Sequence, residues 1–242
     1  MTEETSGPLF ENNGYCEICD SEVRFIAWGE WLRDLYLCSR CECVPRERAL
    51  MRAIKRFKPN YRQIAVHESS PAKRGVSSKL LNECEAYSYS FYFPDSVPGA
   101  FNEETGGTCE NIEKMTLEDE SVDLFVTQDV FEHINDPVAA FSEVERVLRK
   151  GGAHIFTVPI VRGPYPSERR AFYGPNGISH FKEPEYHGDP IDENGALVTF
   201  DYGYDIVEHI YKTGMTPIVL DIVDWRYGIK AELNEVIVSI KK

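Results

Sequence analysis

The sequence predicts an α/β fold built on a largely parallel sheet, preceded by a small module that metal ligation, not an apolar core, would hold together. Three observations lead there. Apolar strand-like runs alternate with amphipathic helix-like runs from residue 63 onward, which implies strand-helix-strand crossovers. One crossover is complete between residues 121 and 158, with Asp136-Pro137 as the helix start and Lys150-Gly151-Gly152 as its stop. Four cysteines, Cys16, Cys19, Cys38 and Cys41, form two C-x2-C pairs near the N-terminus.

The two pairs leave eighteen residues between them, a spacing at which two thiolate knuckles close a tetrahedron of sulfur around Zn²⁺. A closed four-thiolate shell has no open position for water, so the site is expected to be structural. Cys43 is an alternative to Cys41 as the fourth ligand. Unligated cysteines and a redox dithiol are the competing readings, and the second pair is one more than dithiol chemistry needs. Residues 23–28 and 35–37 read as strands with a turn near Gly29-Glu30, a ribbon-like hairpin. Cys84 and Cys109 fall singly and read as small buried hydrophobes.

The order of units is then a zinc module over residues 1–44, a bridging helix over 45–60 and a main domain over 61–242. Leu50, Met51, Ile54 and Phe57 recur at helical steps before Pro59. Residues 63–68 and 86–90 read as strands flanking a helix over 77–84. After the complete crossover, residues 159–198 are rich in Pro, Gly, aromatic and charged residues and read as a functional insertion. A helix over 205–211 and two closing strands, 217–223 and 235–240, complete the domain.

Hydrophobic residues at 42% and charged residues at 27% are ordinary globular usage. A cytoplasmic location is expected, because no apolar run approaches the ~18–20 residues of a membrane span and the acidic first residues lack a signal-peptide pattern. The net charge of −14 repels phosphate backbones and argues against nucleic acid as a partner. One stretch opposes that trend: Arg46, Arg48, Arg52, Lys55, Arg56, Lys58 and Arg62. It reads as a solvated helix face, with a site for a phosphate-bearing partner as the alternative.

The run Ser121-Val122-Asp123-Leu124-Phe125-Val126-Thr127-Gln128-Asp129-Val130-Phe131-Glu132-His133-Ile134, followed by Asp136-Pro137 and by Arg146-Val147-Leu148-Arg149-Lys150-Gly151-Gly152, resembles class I S-adenosylmethionine-dependent methyltransferases of type 11. The resemblance is close over about forty residues and elsewhere extends only to element order. It implies a doubly wound, Rossmann-like seven-stranded sheet with S-adenosylmethionine at the carboxyl ends of the first strands. It further assigns cofactor contacts to Glu68 at the end of the first strand, to Ser69, Ser70 and Gly75 in the following loop, to Ser90 ending the second strand, to Asn111 with Ile112, and to Gln128. Three departures stand out: Gly75 is the one glycine left in a loop usually rich in them, and Ser90 and Asn111 replace acids.

Methyl transfer is an in-line displacement for which the protein positions the acceptor and removes its proton. His133 is the expected base, and a histidine bonded to backbone at a helix start is its structural alternative. Asp129 also sits at the strand end, and Glu132 reads as a support for the following helix. His180 and His187, with Tyr186 and Asp189, suggest an acceptor-binding lid; a second metal site from His180, His187 and Asp189 matches no strong signature. The expected function is methylation of an O or N on a small-molecule or carbohydrate acceptor. An RNA methyltransferase and a catalytically silent zinc protein are the alternatives. Expected partners are the acceptor and, at most, a second copy of the chain, with neither a membrane nor nucleic acid among them.

Overall fold

In the computed structural model, which describes residues 7–188 and 193–242, strands and helices alternate as the sequence pattern requires. The N-terminal module contains β1 (Phe10–Cys16), β2 (Ser21–Ala27), the single turn α1 (Leu32–Leu35) and β3 (Tyr36–Cys38), with β2 between the other two in an antiparallel sheet. The hairpin expected from sequence is thus a three-stranded sheet. β1 was not legible because its Glu, Asn, Asn and Gly residues have low strand propensity, and full-length pairing with β2 holds it.

Helix α2 (Pro45–Phe57) leads to β4 (Ala65–Ser69), α3 (Gly75–Glu83), β5 (Ala86–Phe91), β6 (Thr108–Cys109), β7 (Val122–Gln128), α4 (Pro137–Val147), β8 (Leu148–Thr157), α5 (Ile206–Lys212), β9 (Thr216–Leu220) and β10 (Val236–Ile240). Seven of these strands form one sheet in the order β9-β10-β8-β7-β4-β5-β6. Neighbours from β8 to β6 are parallel, and β10 runs antiparallel to both of its neighbours. The strand order reverses between β4 and β7, which is where doubly wound sheets open a crevice at their carboxyl ends.

Alternate residues of each central strand enter opposite cores. Phe125, Phe156 and Ile237 pack with α4 and α5 on one face. Leu124, Val126, Ile155 and Val238 pack with α2 and α3 on the other. Helix α2 is therefore a layer of the main core as well as a link, with Ala49, Leu50, Met51, Ala53 and Ile54 fully buried. Asp136 caps α4 as expected, its Oδ1 accepting from the amides of Val138 and Ala139.

The glycine stop behaves differently. Helix α4 ends at Val147 and the chain passes straight into β8, where residues 149–152 bulge outward between the pairs Val122–Leu148 and Leu124–Ala153. Gly151, at φ +72°, turns this bulge, and its amide bonds Lys241 O. The insertion is built of short ribbons: Ala171–Gly174 with Gly177–His180, Tyr186–His187 with Ala196–Leu197, and Glu168–Arg169 with Phe200–Asp201. Among the described residues no helix is long and apolar enough to cross a membrane.

The basic run is not a solvated face. Arg48 is fully buried, donates to the carbonyls of Tyr36, Cys43 and Gly228, and lies over the rings of Phe25 and Tyr36. Arg52 reaches Glu17 and Asp224, Lys55 reaches Asp20, and Lys58 donates to Gly151 O; only Arg56 and Arg62 are exposed, and Arg62 pairs with Glu83. These cations join the module to the domain, and their partners lie too far along the chain for local sequence to reveal them.

Two histidines sit inside the sheet. His67 bonds the hydroxyls of Ser88 and Ser90, and His154 bonds Thr127 Oγ1 and stacks on Phe156. Burial pushes them down to about 4 and about 3 respectively, so both stay neutral while the unfolded chain takes up protons near its ordinary histidine value. Stability is therefore full above about pH 6.5 and falls with pH below it, by up to about 1.4 kcal/mol per unit for each histidine. Urea denaturation between pH 7 and pH 5 is expected to show this slope, at about half its size in His154→Asn.

Candidate active site

The carboxyl ends of β4, β5 and β7 open into a cavity of about 1910 Å³. Single-ligand pockets run to roughly 300–1,000 Å³, so two ligands fit side by side. Ser69 and Ser70 line it after β4, Phe91 at the end of β5, Asn111 and Ile112 after β6, and Gln128 at the end of β7. Ser70 (φ +53°) and Asp129 (φ +50°) are both left-handed, turning the chain sharply at the strand ends beside the cavity.

Three residues expected to contact a cofactor lie behind this wall. Glu68 is fully buried; its Oε1 accepts from Ser77 Oγ and Gln128 Nε2, and its Oε2 from Tyr87, all at 2.7 Å. Burial raises its pKa against those three donors. Glu68 thus braces Gln128 instead of lining the cavity itself. Ser90 is 1% exposed and its hydroxyl bonds His67 Nε2, so its side chain is turned into the sheet. Gly75 begins α3 beside the Glu47 carboxylate of α2, and its left-handed backbone at φ +57° favours glycine there.

The N-terminal module supplies part of the wall through Trp31, Arg33 and Asp34. Arg33, 5% exposed, meets Asp129 Oδ2 at 2.8 Å, and Arg46 Nε meets the same oxygen at 2.9 Å. Thr157 donates to Asp129 Oδ1. Burial alone would raise the Asp129 pKa, but the two guanidiniums outweigh it and hold the carboxyl below its usual range. Neither arginine was singled out for the site from sequence, since a pairing 96 residues apart leaves no local signature.

Across the cavity, the ribbon of Tyr186–His187 brings His187 to His133. Their rings are perpendicular with centroids 5.2 Å apart, and both lie beside Glu132, which is 2% exposed. Glu132 Oε1 is 3.5 Å from His187 Nδ1 and 3.8 Å from His133 Nε2, while His133 Nδ1 donates to Leu197 O at 2.9 Å. The Glu132 carboxylate raises the His187 pKa, with burial opposing it. Glu132 does not support α4, whose cap is Asp136; it belongs to the cavity. His180 lies elsewhere, exposed on its ribbon and off the cavity wall. Asp189 lies outside the described residues.

The cysteine cluster is separate. One sulfur from each of Cys16, Cys19, Cys38 and Cys41 lies within 4.8 Å of the others, with Cys16–Cys41 at 3.9 Å and Cys19–Cys38 at 3.7 Å. A tetrahedral zinc shell with bonds of about 2.3 Å spaces its sulfurs by about 3.8 Å, so the set fits. The amides of Cys19 and Arg40 point at the sulfurs of Cys16 and Cys38, as expected around thiolates. Cys43 falls outside this set; its sulfur is 3.6 Å from that of Cys16 and 3.5 Å from Arg48 Nη1.

Residues 87–156, which include β5 to β7 and most of β8, match the family model described as a methyltransferase domain. Over that stretch the chain is similar to methyltransferase domains. A solved structure shares the fold: a sugar N-methyltransferase from Streptoalloteichus is 11% identical with a TM-score of 0.53, covering 82% of this chain and 87% of its own. An S-adenosylmethionine-dependent methyltransferase from Mesorhizobium loti is 14% identical with a TM-score of 0.49, covering 79% and 97%. No curated protein matches the sequence. The cavity occupies the crevice where doubly wound sheets bind ligands.

Asp129→Asn is expected to leave Arg33 without its carboxylate partner, while Arg46 keeps Asp34 at 2.6 Å, and to cost about 3 kcal/mol in urea denaturation. Combining it with Arg33→Met should cost less than the sum of the two single changes.

Proposed function

We propose that the protein transfers a methyl group from S-adenosylmethionine to an oxygen or nitrogen of a small polar acceptor, most readily a carbohydrate. The supporting observation is the single cavity that runs from the ends of β4, β5 and β7 to the Glu132, His133 and His187 cluster under the lid. S-adenosylmethionine supplies an electrophilic methyl group on a sulfonium sulfur. Ser69, Ser70, Gln128 and Asn111 offer hydroxyls and amides for its polar groups, and Phe91 offers a ring face for the adenine. Ser90 offers the ribose nothing, so that contact shifts to other groups of the wall.

The acceptor end is the lid and the histidine cluster. Its job is to fix the acceptor atom in line and to relieve it of its proton, which accounts for a paired imidazole and carboxylate there. That the Streptoalloteichus relative is a sugar N-methyltransferase favours a carbohydrate acceptor here. The RNA reading, which would use the cysteine module for recognition, loses the support of the basic run, because most of that run is engaged with Asp20, Glu17, Asp34, Asp129 and Asp224.

A second reading, binding without methyl transfer, draws on the inward-turned Ser90 and the fully engaged Glu68. Calorimetric titration with S-adenosylmethionine and S-adenosylhomocysteine decides. Binding of both is expected, weakened about ten-fold in Gln128→Ala by loss of a hydrogen bond worth about 1.4 kcal/mol. Absence of binding by either ligand sinks methyl transfer.

The four-cysteine cluster is assigned a structural zinc ion, held by Cys16, Cys19, Cys38 and Cys41. Metal analysis of purified protein is expected to give about one zinc per chain. Cys41→Ser should lose it and lower the melting temperature, while Cys43→Ser should retain it.

A further inference from the structure

Glu132 differs from the other acids of the cavity wall in having a buried carboxylate that no donor among the described residues meets closely. It is 2% exposed, and among the described residues its oxygens have the longer approaches of His187 Nδ1 at 3.5 Å and His133 Nε2 at 3.8 Å. A buried carboxylate in that state is costly unless a cation compensates it. Asp129, across the cavity, shows the contrast, with two guanidiniums and a hydroxyl on its oxygens.

The histidine rings beside Glu132 are turned as ligands are. Leu197 O accepts from His133 Nδ1 at 2.9 Å, and because a carbonyl only accepts, the lone pair of that ring sits on Nε2, facing Glu132. Glu185 Oε1 stands 3.4 Å from His187 Nε2, leaving His187 Nδ1 toward Glu132. An oxygen behind the outer nitrogen and a lone pair in front is the outer-shell arrangement of metal-binding histidines. One ligand atom of each of the three residues lies within 4.8 Å of the others. In a tetrahedral shell of nitrogen and oxygen with bonds of about 2.1 Å the ligand atoms are about 3.4 Å apart, so a small inward movement of the lid completes it.

The geometry points to a divalent-cation site formed by Glu132, His133 and His187, distinct from the cysteine cluster and open toward the cavity. Two imidazoles and one carboxylate suit a first-row transition ion better than calcium or magnesium, which prefer oxygen shells. Three protein ligands leave positions for oxygens of a second molecule, and vicinal hydroxyls of a polyol or sugar would chelate there. A hydroxyl so bound is acidified and gives its proton to solvent. That use of the cation rests on the methyl-transfer reading; the cation site itself does not.

The test titrates protein holding one zinc per chain with Mn²⁺ alone, following the free ion by electron paramagnetic resonance without S-adenosylmethionine or acceptor. About one Mn²⁺ per chain is expected, with affinity lowered at least ten-fold in Glu132→Gln and His187→Ala and unchanged in His180→Ala. Should Glu132→Gln fail to fold, His187→Ala carries the comparison, since that side chain lies on the half-exposed lid. Lack of saturable binding of both Mn²⁺ and Co²⁺, or unchanged affinity in His187→Ala, overturns the site. Failure here leaves S-adenosylmethionine binding untouched, so the two readings fall separately.

Discussion

Arg48 carries its guanidinium into a buried place where no carboxylate among the described residues pairs with it. Backbone carbonyls from three parts of the chain satisfy it instead: Tyr36 in the module, Cys43 after the second cysteine pair, and Gly228 near the last strand. Removing a guanidinium from water is tolerable only when its donors are met, so these three segments must be in place together. The rings of Phe25 and Tyr36 cover its face and add a cation–π contribution. The placement of the cysteine module on the sheet follows from this contact, and with it the arrival of Arg33 and Arg46 at Asp129.

The cavity is in that sense a joint product. Strand ends provide Ser69, Ser70 and Gln128, the module provides Trp31 and Arg33, and the lid provides His187. Its two ends differ in electrostatics. At Asp129 two arginines meet the carboxylates of Asp129 and Asp34, whereas at Glu132 a buried carboxylate stands beside two imidazoles.

The sheet was legible in sequence wherever apolar periodicity is strong: β7, α4 and β8 match the reading to within a residue or two at most ends, and Asp136 caps as its type suggests. The cysteine spacing gave the cluster because ligand geometry is encoded locally. What local sequence does not encode is the partner of a side chain. Ser90 was placed by analogy at a strand end, but its parity in β5 turns it toward His67. Glu132 was read as helix support because its histidine neighbours come from the following residue and from a lid over fifty positions later. The basic run was read as solvated for the same reason.

The contact between Arg48 and Gly228 spans 180 residues. Synthesis proceeds from the N-terminus, so the cysteine module and α2 emerge long before the carbonyl that completes their interface. Until then the guanidinium must remain hydrated or loosely held, and the apolar side of α2 has no sheet to cover. The ribosome thus releases the cysteine knuckles early and the clasp that fixes them late. Completion of the fold is consequently a late, long-range event, the kind of closure that slows folding and leaves apolar surface exposed for longest in the nascent chain.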